Sequence, residues 1–182
     1  FRRIVESGLL PEGALQLLCG SAGNLFDHLG CQDAVAFTGS ASTARALRTH
    51  RTVIDHSVRF TAETDSLNAS ILGADASELE LFVKEVVRET TVKAGQKCTA
   101  IRRAIVPAAS LDAAVDALRT ALGRVVVGDP RRADVKMGPV ASLAQRREVR
   151  EQLAKLEREA QVVLGGSSLP QLSGADGEKG AF

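Results

Sequence analysis

Two side chains in this sequence sit in settings suited to chemistry: a thiol placed to attack a small electrophile and a carboxylate at a sheet edge. Cys98 lies in Lys93-Ala94-Gly95-Gln96-Lys97-Cys98-Thr99-Ala100, a small-residue loop between a helical pattern and a strand pattern at 101–107. Such a loop leaves backbone N–H groups near the thiol and little bulk around it, a setting that can hold a thiolate and admit a small electrophile. Lys97 is placed either to support that thiolate by its charge or to lie solvated on the loop. Glu63 ends the strand pattern 58–62, with Thr64, Asp65 and Ser66 turning the chain away. A carboxylate at the carboxyl end of a strand stands where open α/β sheets put their ligands. It precedes Cys98 by 35 positions.

A further cluster suits a phosphate. Residues 34–40, Ala-Val-Ala-Phe-Thr-Gly-Ser, read as a strand running into a tight turn, with a helix beginning near Thr43. The N–H groups of such a turn and of a helix amino end suit a pyrophosphate. Cys19 and Cys31 read as small buried hydrophobes, Cys19 at the end of a strand and Cys31 in a turn.

The elements that must position these groups follow from periodicity. Short apolar or β-branched runs at 15–19, 34–38, 58–62, 102–106, 125–127 and 161–164 alternate with amphipathic helical patterns. That order gives an α/β fold with a substantially parallel sheet. Ser77 and Glu80 have capping-box spacing before the stripe Leu79, Phe82, Val83, Val86 and Val87, and Gly95 is placed to end that helix in a left-handed conformation. Ser110 opens a second helix closed by Gly123. Ser142 and Gln145 open a third, with the stripe Val149, Leu153, Leu156 and Ala160. Residues 165–180 read as an exposed Gly/Ser-rich loop.

Composition narrows the classes. In 182 residues, 45% are apolar and 25% charged, as in a globular protein, and a net charge of +1 gives no drive toward nucleic acid or an anionic membrane. Arg146, Arg147 and Arg150 alternate with Glu148 and Glu151, as on a solvated helix face. No apolar run is long enough to span a bilayer. Three widely spaced cysteines offer neither a disulfide framework nor metal-ligand spacing, and fit a reducing cytoplasm. The chain starts without Met inside a helical pattern and stops at Gly180-Ala181-Phe182, which reads as a piece of a longer protein.

Gly95-Gln96-Lys97-Cys98-Thr99-Ala100 resembles the catalytic-cysteine signature of the aldehyde dehydrogenase superfamily. Phe37-Thr38-Gly39-Ser40 is similar to the phosphate turn of that family, and Glu63 stands at the interval of its water-activating glutamate. The sequence departs from the family pattern Glu-Leu-Gly-Gly, reading Glu63-Thr64-Asp65-Ser66, and carries Ala44 in place of a second turn glycine. The resemblance implies parts of a Rossmann-like cofactor domain, residues 1–62, and of the catalytic α/β domain, residues 63–182.

It further implies Cys98 as nucleophile and Glu63 as the base for thioester hydrolysis. Thr38, Gly39, Ser40, Thr43 and Thr64 would contact NADP or NAD, and no metal is implied. The phrases at 63–68, 93–103 and 137–142 are most similar to the dehydrogenase half of the bifunctional phenylacetate-degradation family, with the benzoyl-CoA-pathway semialdehyde dehydrogenases second. The implied substrate is an aldehyde, in that subgroup a CoA-linked semialdehyde. The implied enzyme is a homo-oligomer, and this segment alone is expected to be inactive. Two other readings stand beside it: a CoA-acylating aldehyde dehydrogenase, which generally lacks such a glutamate, and a non-catalytic structural or oligomerisation segment.

Overall fold

Every strand pairing in the computed structural model, which describes all of residues 1–182, is parallel. Parallel neighbours cannot be joined by a tight turn, so each pair requires a crossover, and helices or long loops supply it. The chain divides into two compact units, Phe1–Asp65 and Ser66–Phe182.

In the first unit, β1 (Ala34–Thr38) pairs with β2 (Arg59–Glu63) in the register Ala34↔Arg59 through Thr38↔Glu63. After the short helix α1 (Arg2–Glu6) and before β1 the chain has one short 3-10 turn. Helices α2 (Ala41–Arg48) and α3 (Arg51–Asp55) make the crossover. Ala44, Val53 and Val58 are buried beneath it, and the Arg48 guanidinium lies 5.4 Å from the centre of the Phe60 ring. Glycine in the turn after β1 leaves room for a side chain: a Cβ on Gly39 would stand 2.5 Å from Cζ of Phe37, and the Phe37 ring would have to shift to admit it.

In the second unit, β3 (Ala69–Ile71) pairs with β4 (Arg103–Ile105) across α4 (Leu79–Thr91). Next come α5 (Leu111–Gly123), β5 (Val127–Gly128), α6 (Leu143–Leu156) and β6 (Leu172–Ser173), with β5 parallel to β6. Leu72 joins Phe82, Val83 and Val86 of α4 in one buried cluster. Ala117, Leu118 and Ala121 of α5 pack against it, as do Ile101 and Val106 on either side of β4. This is the apolar stripe that the 3.6-residue period of α4 assembles.

The runs 15–19 and 161–164 form no strand. Leu17 and Leu18 are 58% and 71% exposed; an apolar run becomes a strand only where a partner edge accepts it, and no other segment of this chain does. Cys19 and Cys31 are exposed rather than buried. Helix α2 begins at Ala41, ahead of Thr43. Helix α4 begins at Leu79 with Glu78 at its N-cap and no side-chain cap, because the Asp75 carboxylate takes the Ser77 N–H into a local turn. Ser110 is the N-cap of α5 but its side chain makes no capping bond, whereas Ser142 caps α6 by accepting from the Gln145 N–H at 3.1 Å. The stretch 165–180 is not all loop, since it contains β6. The α6 stripe is not buried. Leu153 and Leu156, with Val115, Leu118 and Leu122 of α5, line an open apolar groove of about 380 Å³. No helix is long and apolar enough to cross a membrane.

Candidate active site

The register of the first unit brings Thr38 and Glu63 side by side at the carboxyl ends of β1 and β2. The Gly39 N–H donates to the Glu63 carbonyl at 3.1 Å, extending the ladder into the turn. Both side chains at this edge are exposed. The amino end of α2 opens directly above the turn. Ser40 caps it, its hydroxyl accepting from the Thr43 N–H at 3.1 Å and lying 2.8 Å from the Thr43 hydroxyl and 3.0 Å from that of Ser42. The Ser40 and Ser42 N–H groups have no acceptor in the chain.

This donor set of N–H and hydroxyl groups at a helix amino end fits an oxygen-rich anion such as a pyrophosphate. One residue modifies the fit. The Asp65 carboxylate accepts from the Ala41 N–H at 3.1 Å, so the chain sets an anion of its own on the same helix end. Among the residues expected here, Thr38, Gly39, Ser40, Thr43 and Glu63 gather at one edge, and Thr64 follows Glu63 as an exposed residue with no hydrogen-bond partner. Asp65 carried no expectation. Its signal in the sequence was the acidic residue standing where the family pattern has glycine.

In the second unit Cys98 is exposed on the loop from α4 to β4. The loop begins with three consecutive left-handed residues, Lys93 (φ 54°), Ala94 (φ 52°) and Gly95 (φ 71°). Only the last is glycine, so two residues with Cβ atoms hold a conformation that costs about 1–2 kcal/mol each. Several bonds hold the reversal in place. The Gln96 side-chain amide donates to the Lys93 carbonyl and accepts from the Ala141 N–H, both at 2.9 Å. The Arg102 guanidinium donates to the Gly95 carbonyl at 2.7 Å and to that of Lys97 at 3.4 Å.

The Lys97 ammonium is spent on the helix rather than on the thiol. It lies 2.6 Å from Glu89 of α4, a pair in which both side chains are mostly buried. This bond to Lys97, with Arg88 adding to it, holds the Glu89 carboxyl below its ordinary range. The Cys98 carbonyl accepts from the Ser66 hydroxyl at 2.6 Å and from the Asn68 side-chain amide. The same amide reaches the carbonyl of Ala100 at 3.2 Å, and Ala100 is fully buried. The N–H groups of Cys98 and Thr99 have no acceptor in the chain. Ser66, Asn68, Glu89 and Arg102 were not singled out by sequence: the Ser66 and Asn68 bonds span thirty residues or more and leave no local pattern, and those of Glu89 and Arg102, over five to eight residues, match no motif. No cluster of His, Cys, Asp or Glu in the chain could hold a metal ion.

Comparison with known proteins gives one consistent result. The family model described as the aldehyde dehydrogenase family matches residues 1–182. The 3,4-dehydroadipyl-CoA semialdehyde dehydrogenase of Aromatoleum evansii is 48% identical over 98% of this chain and 36% of its own length. The geranial dehydrogenase of Castellaniella defragrans is 32% identical over 91% of this chain and 34% of its own length. Among solved structures, apo betaine aldehyde dehydrogenase of Staphylococcus aureus (a G234S mutant) superposes with a TM-score of 0.82. It is 25% identical and covers 93% of this chain and 34% of its own. The same enzyme in complex with NAD+ superposes with a TM-score of 0.70 at 26% identity, over 76% of this chain and 27% of its own. The chain therefore spans about a third of the length of the curated relatives it matches.

Proposed function

The chain belongs to the aldehyde dehydrogenase family, and from that premise we propose that it is part of an NAD(P)-dependent enzyme oxidising an aldehyde to a carboxylic acid through Cys98. The observation that carries the reading is the exposed Cys98 thiol on a braced loop whose two flanking N–H groups are free. Residues 1–62 are read as the later part of the dinucleotide-binding domain and 63–182 as the first part of the catalytic domain. The name of the Aromatoleum evansii relative makes a CoA-linked semialdehyde the first substrate to test.

In this mechanism the Cys98 thiolate adds to the aldehyde carbon, forming a C–S bond and an oxyanion. The free N–H groups at Cys98 and Thr99 are donors of the kind that stabilise such a charge. The nicotinamide dinucleotide, when bound, accepts the hydride, and Ser40, Ser42 and Thr43 would hold its phosphates. A thioester then remains on Cys98. Glu63 takes a proton from a water whose oxygen attacks the thioester carbon, and the acid leaves as the Cys98 thiolate is regenerated. Glu63 is given this role by its motif and its position at the carboxyl end of β2.

The test uses the intact protein with a CoA-linked semialdehyde and NADP or NAD. Cys98→Ala is expected to abolish turnover, and Glu63→Gln to leave one burst of reduced cofactor equal to the enzyme present. Free acid as product supports hydrolysis, while acyl-CoA formed only with added CoA would replace it with the acylating reaction. Full turnover by Cys98→Ala would overturn the reading.

A further inference from the structure

The carbonyls of Lys97, Cys98 and Ala100 each accept from a side chain of the same unit. The Cys98 carbonyl is held twice, by the Ser66 hydroxyl at 2.6 Å and by the Asn68 amide. The Ala100 carbonyl takes the same amide at 3.2 Å. The Lys97 carbonyl accepts from the Ala100 N–H at 3.1 Å and from Arg102 at 3.4 Å. Asn68 is itself doubly fixed, since its own carbonyl accepts from the N–H groups of Arg102 and Arg103 at 2.9 and 3.1 Å. Its amide orientation is determined by its partners. With the oxygen in place of the nitrogen, it would face two carbonyl oxygens that cannot donate.

A trans peptide group is planar, with its N–H opposed to its C=O. Whatever holds the Cys98 carbonyl therefore also sets the direction of the Thr99 N–H. Holding the Lys97 carbonyl does the same for the N–H of Cys98. Both N–H groups are turned away from the bonded side and have no acceptor in the chain. Two adjacent N–H groups in a turn, both without an acceptor, are donors that favour an anion.

We propose that Ser66 and Asn68 are positioning residues for Cys98: by holding its carbonyl they fix the Cys98–Thr99 peptide plane and keep its N–H directed to the anionic forms of the nucleophile. The proposal rests on the reading of Cys98 as the nucleophile. Ser66 acts through a hydroxyl that the glycine of the family pattern lacks. Asn68 anchors the same carbonyl to the buried Ala100, so the setting is carried through a rigid point.

The test measures alkylation of Cys98 by limiting iodoacetamide in the intact protein, read by peptide mass spectrometry. The exposed Cys19 and Cys31 serve as internal references. Loss of one neutral hydrogen bond predicts that Ser66→Ala slows Cys98 labelling about three- to tenfold relative to both references. Ser66→Thr, which keeps the hydroxyl, is expected to restore the rate to within about twofold. Asn68→Asp sets an acceptor against two carbonyls, and its Cys98 rate is expected to fall by more than about tenfold. If Asn68→Asp does not fold, the two Ser66 variants decide. A Ser66→Ala protein whose Cys98 labels at the native rate or faster overturns the proposal, as does an equal slowing at all three cysteines. Turnover by Cys98→Ala would instead overturn the nucleophile itself, so the two failures are distinguishable.

Discussion

Val86 lies on the buried face of α4, 5% exposed and packed with Leu72, Phe82 and Val83, on the helix that ends where the cysteine loop begins. Val86→Ala removes two methyl groups from this cluster. At about 0.8 kcal/mol per buried carbon the transfer loss is about 1.6 kcal/mol. A cavity of roughly 50 Å³ left uncollapsed would add about 1.2 kcal/mol. The expected loss is thus about 1.6–2.8 kcal/mol, or amide exchange in α4 about 15 to 100 times faster by native-state hydrogen exchange. Leu81 is the control. It neighbours Phe82 in the same helix but is 51% exposed, so Leu81→Ala should change exchange by no more than about twofold. Equal acceleration by both variants would refute the assigned packing face. Acceleration confined to residues outside α4 and its cluster would refute the premise that this helix opens as part of that core.

Asp65 shares the α2 amino end with the proposed phosphate site, so Asp65→Asn should tighten NADP binding, measured by titration calorimetry on the intact protein; weaker binding would show that the carboxylate supports the site instead. Lys97 is bound to Glu89, and Lys97→Met is expected to leave Cys98 alkylation within about twofold of native; a tenfold fall would return the lysine to the thiolate. Asp129 is held down to about 2 from 3.8, first by the Arg131 side chain and then by its backbone N–H. A depressed carboxylate contributes stability that is fully present above pH 3.8 and is lost as pH falls through about 2. Arg131→Gln should move the Asp129 midpoint back up toward 3.8 in a carboxylate NMR titration, and an unmoved midpoint would contradict the pairing.

The sequence made β1 legible to the residue, because an apolar run bounded by Asp33 and the Thr-Gly-Ser turn has one reading, and the structure starts and stops it at Ala34 and Thr38. The α4 stripe was equally clear, since a 3.6-residue period over 79–87 has no strand alternative. Its start was not. Ser77 has capping-box spacing, but Asp75 competes for its N–H at shorter range and the N-cap falls one residue later, at Glu78. Strand β3 was invisible because Ala69–Ile71 is too short to show alternation and exists through its pairing with β4. The converse failure is 15–19, strand-like in composition and unpaired in space. At the candidate site, Cys98, Glu63 and the Thr38–Ser40 turn were readable as local motifs. Ser66 and Asn68 were not, because what makes them matter is a carbonyl thirty residues away.

Asn68 also acts as a ruler. Its main chain meets Arg102 and Arg103, its side chain meets Cys98 and Ala100, and the next residue opens a strand in register with Arg103. The count of residues from 98 to 103 is thereby locked. One residue inserted after Thr99 would shift β4 by one place, sending each of its side chains to the opposite face. It would also break the bond to Ala100 or the bonds to Arg102 and Arg103. The turn at 73–78, held by short-range bonds such as Asp75 to Ser77, carries no such count. Descendants of this sequence are therefore free to change length ahead of α4 and not between the cysteine and its strand. A misaligned gap in that interval would displace the proposed nucleophile from its strand before any chemistry was measured.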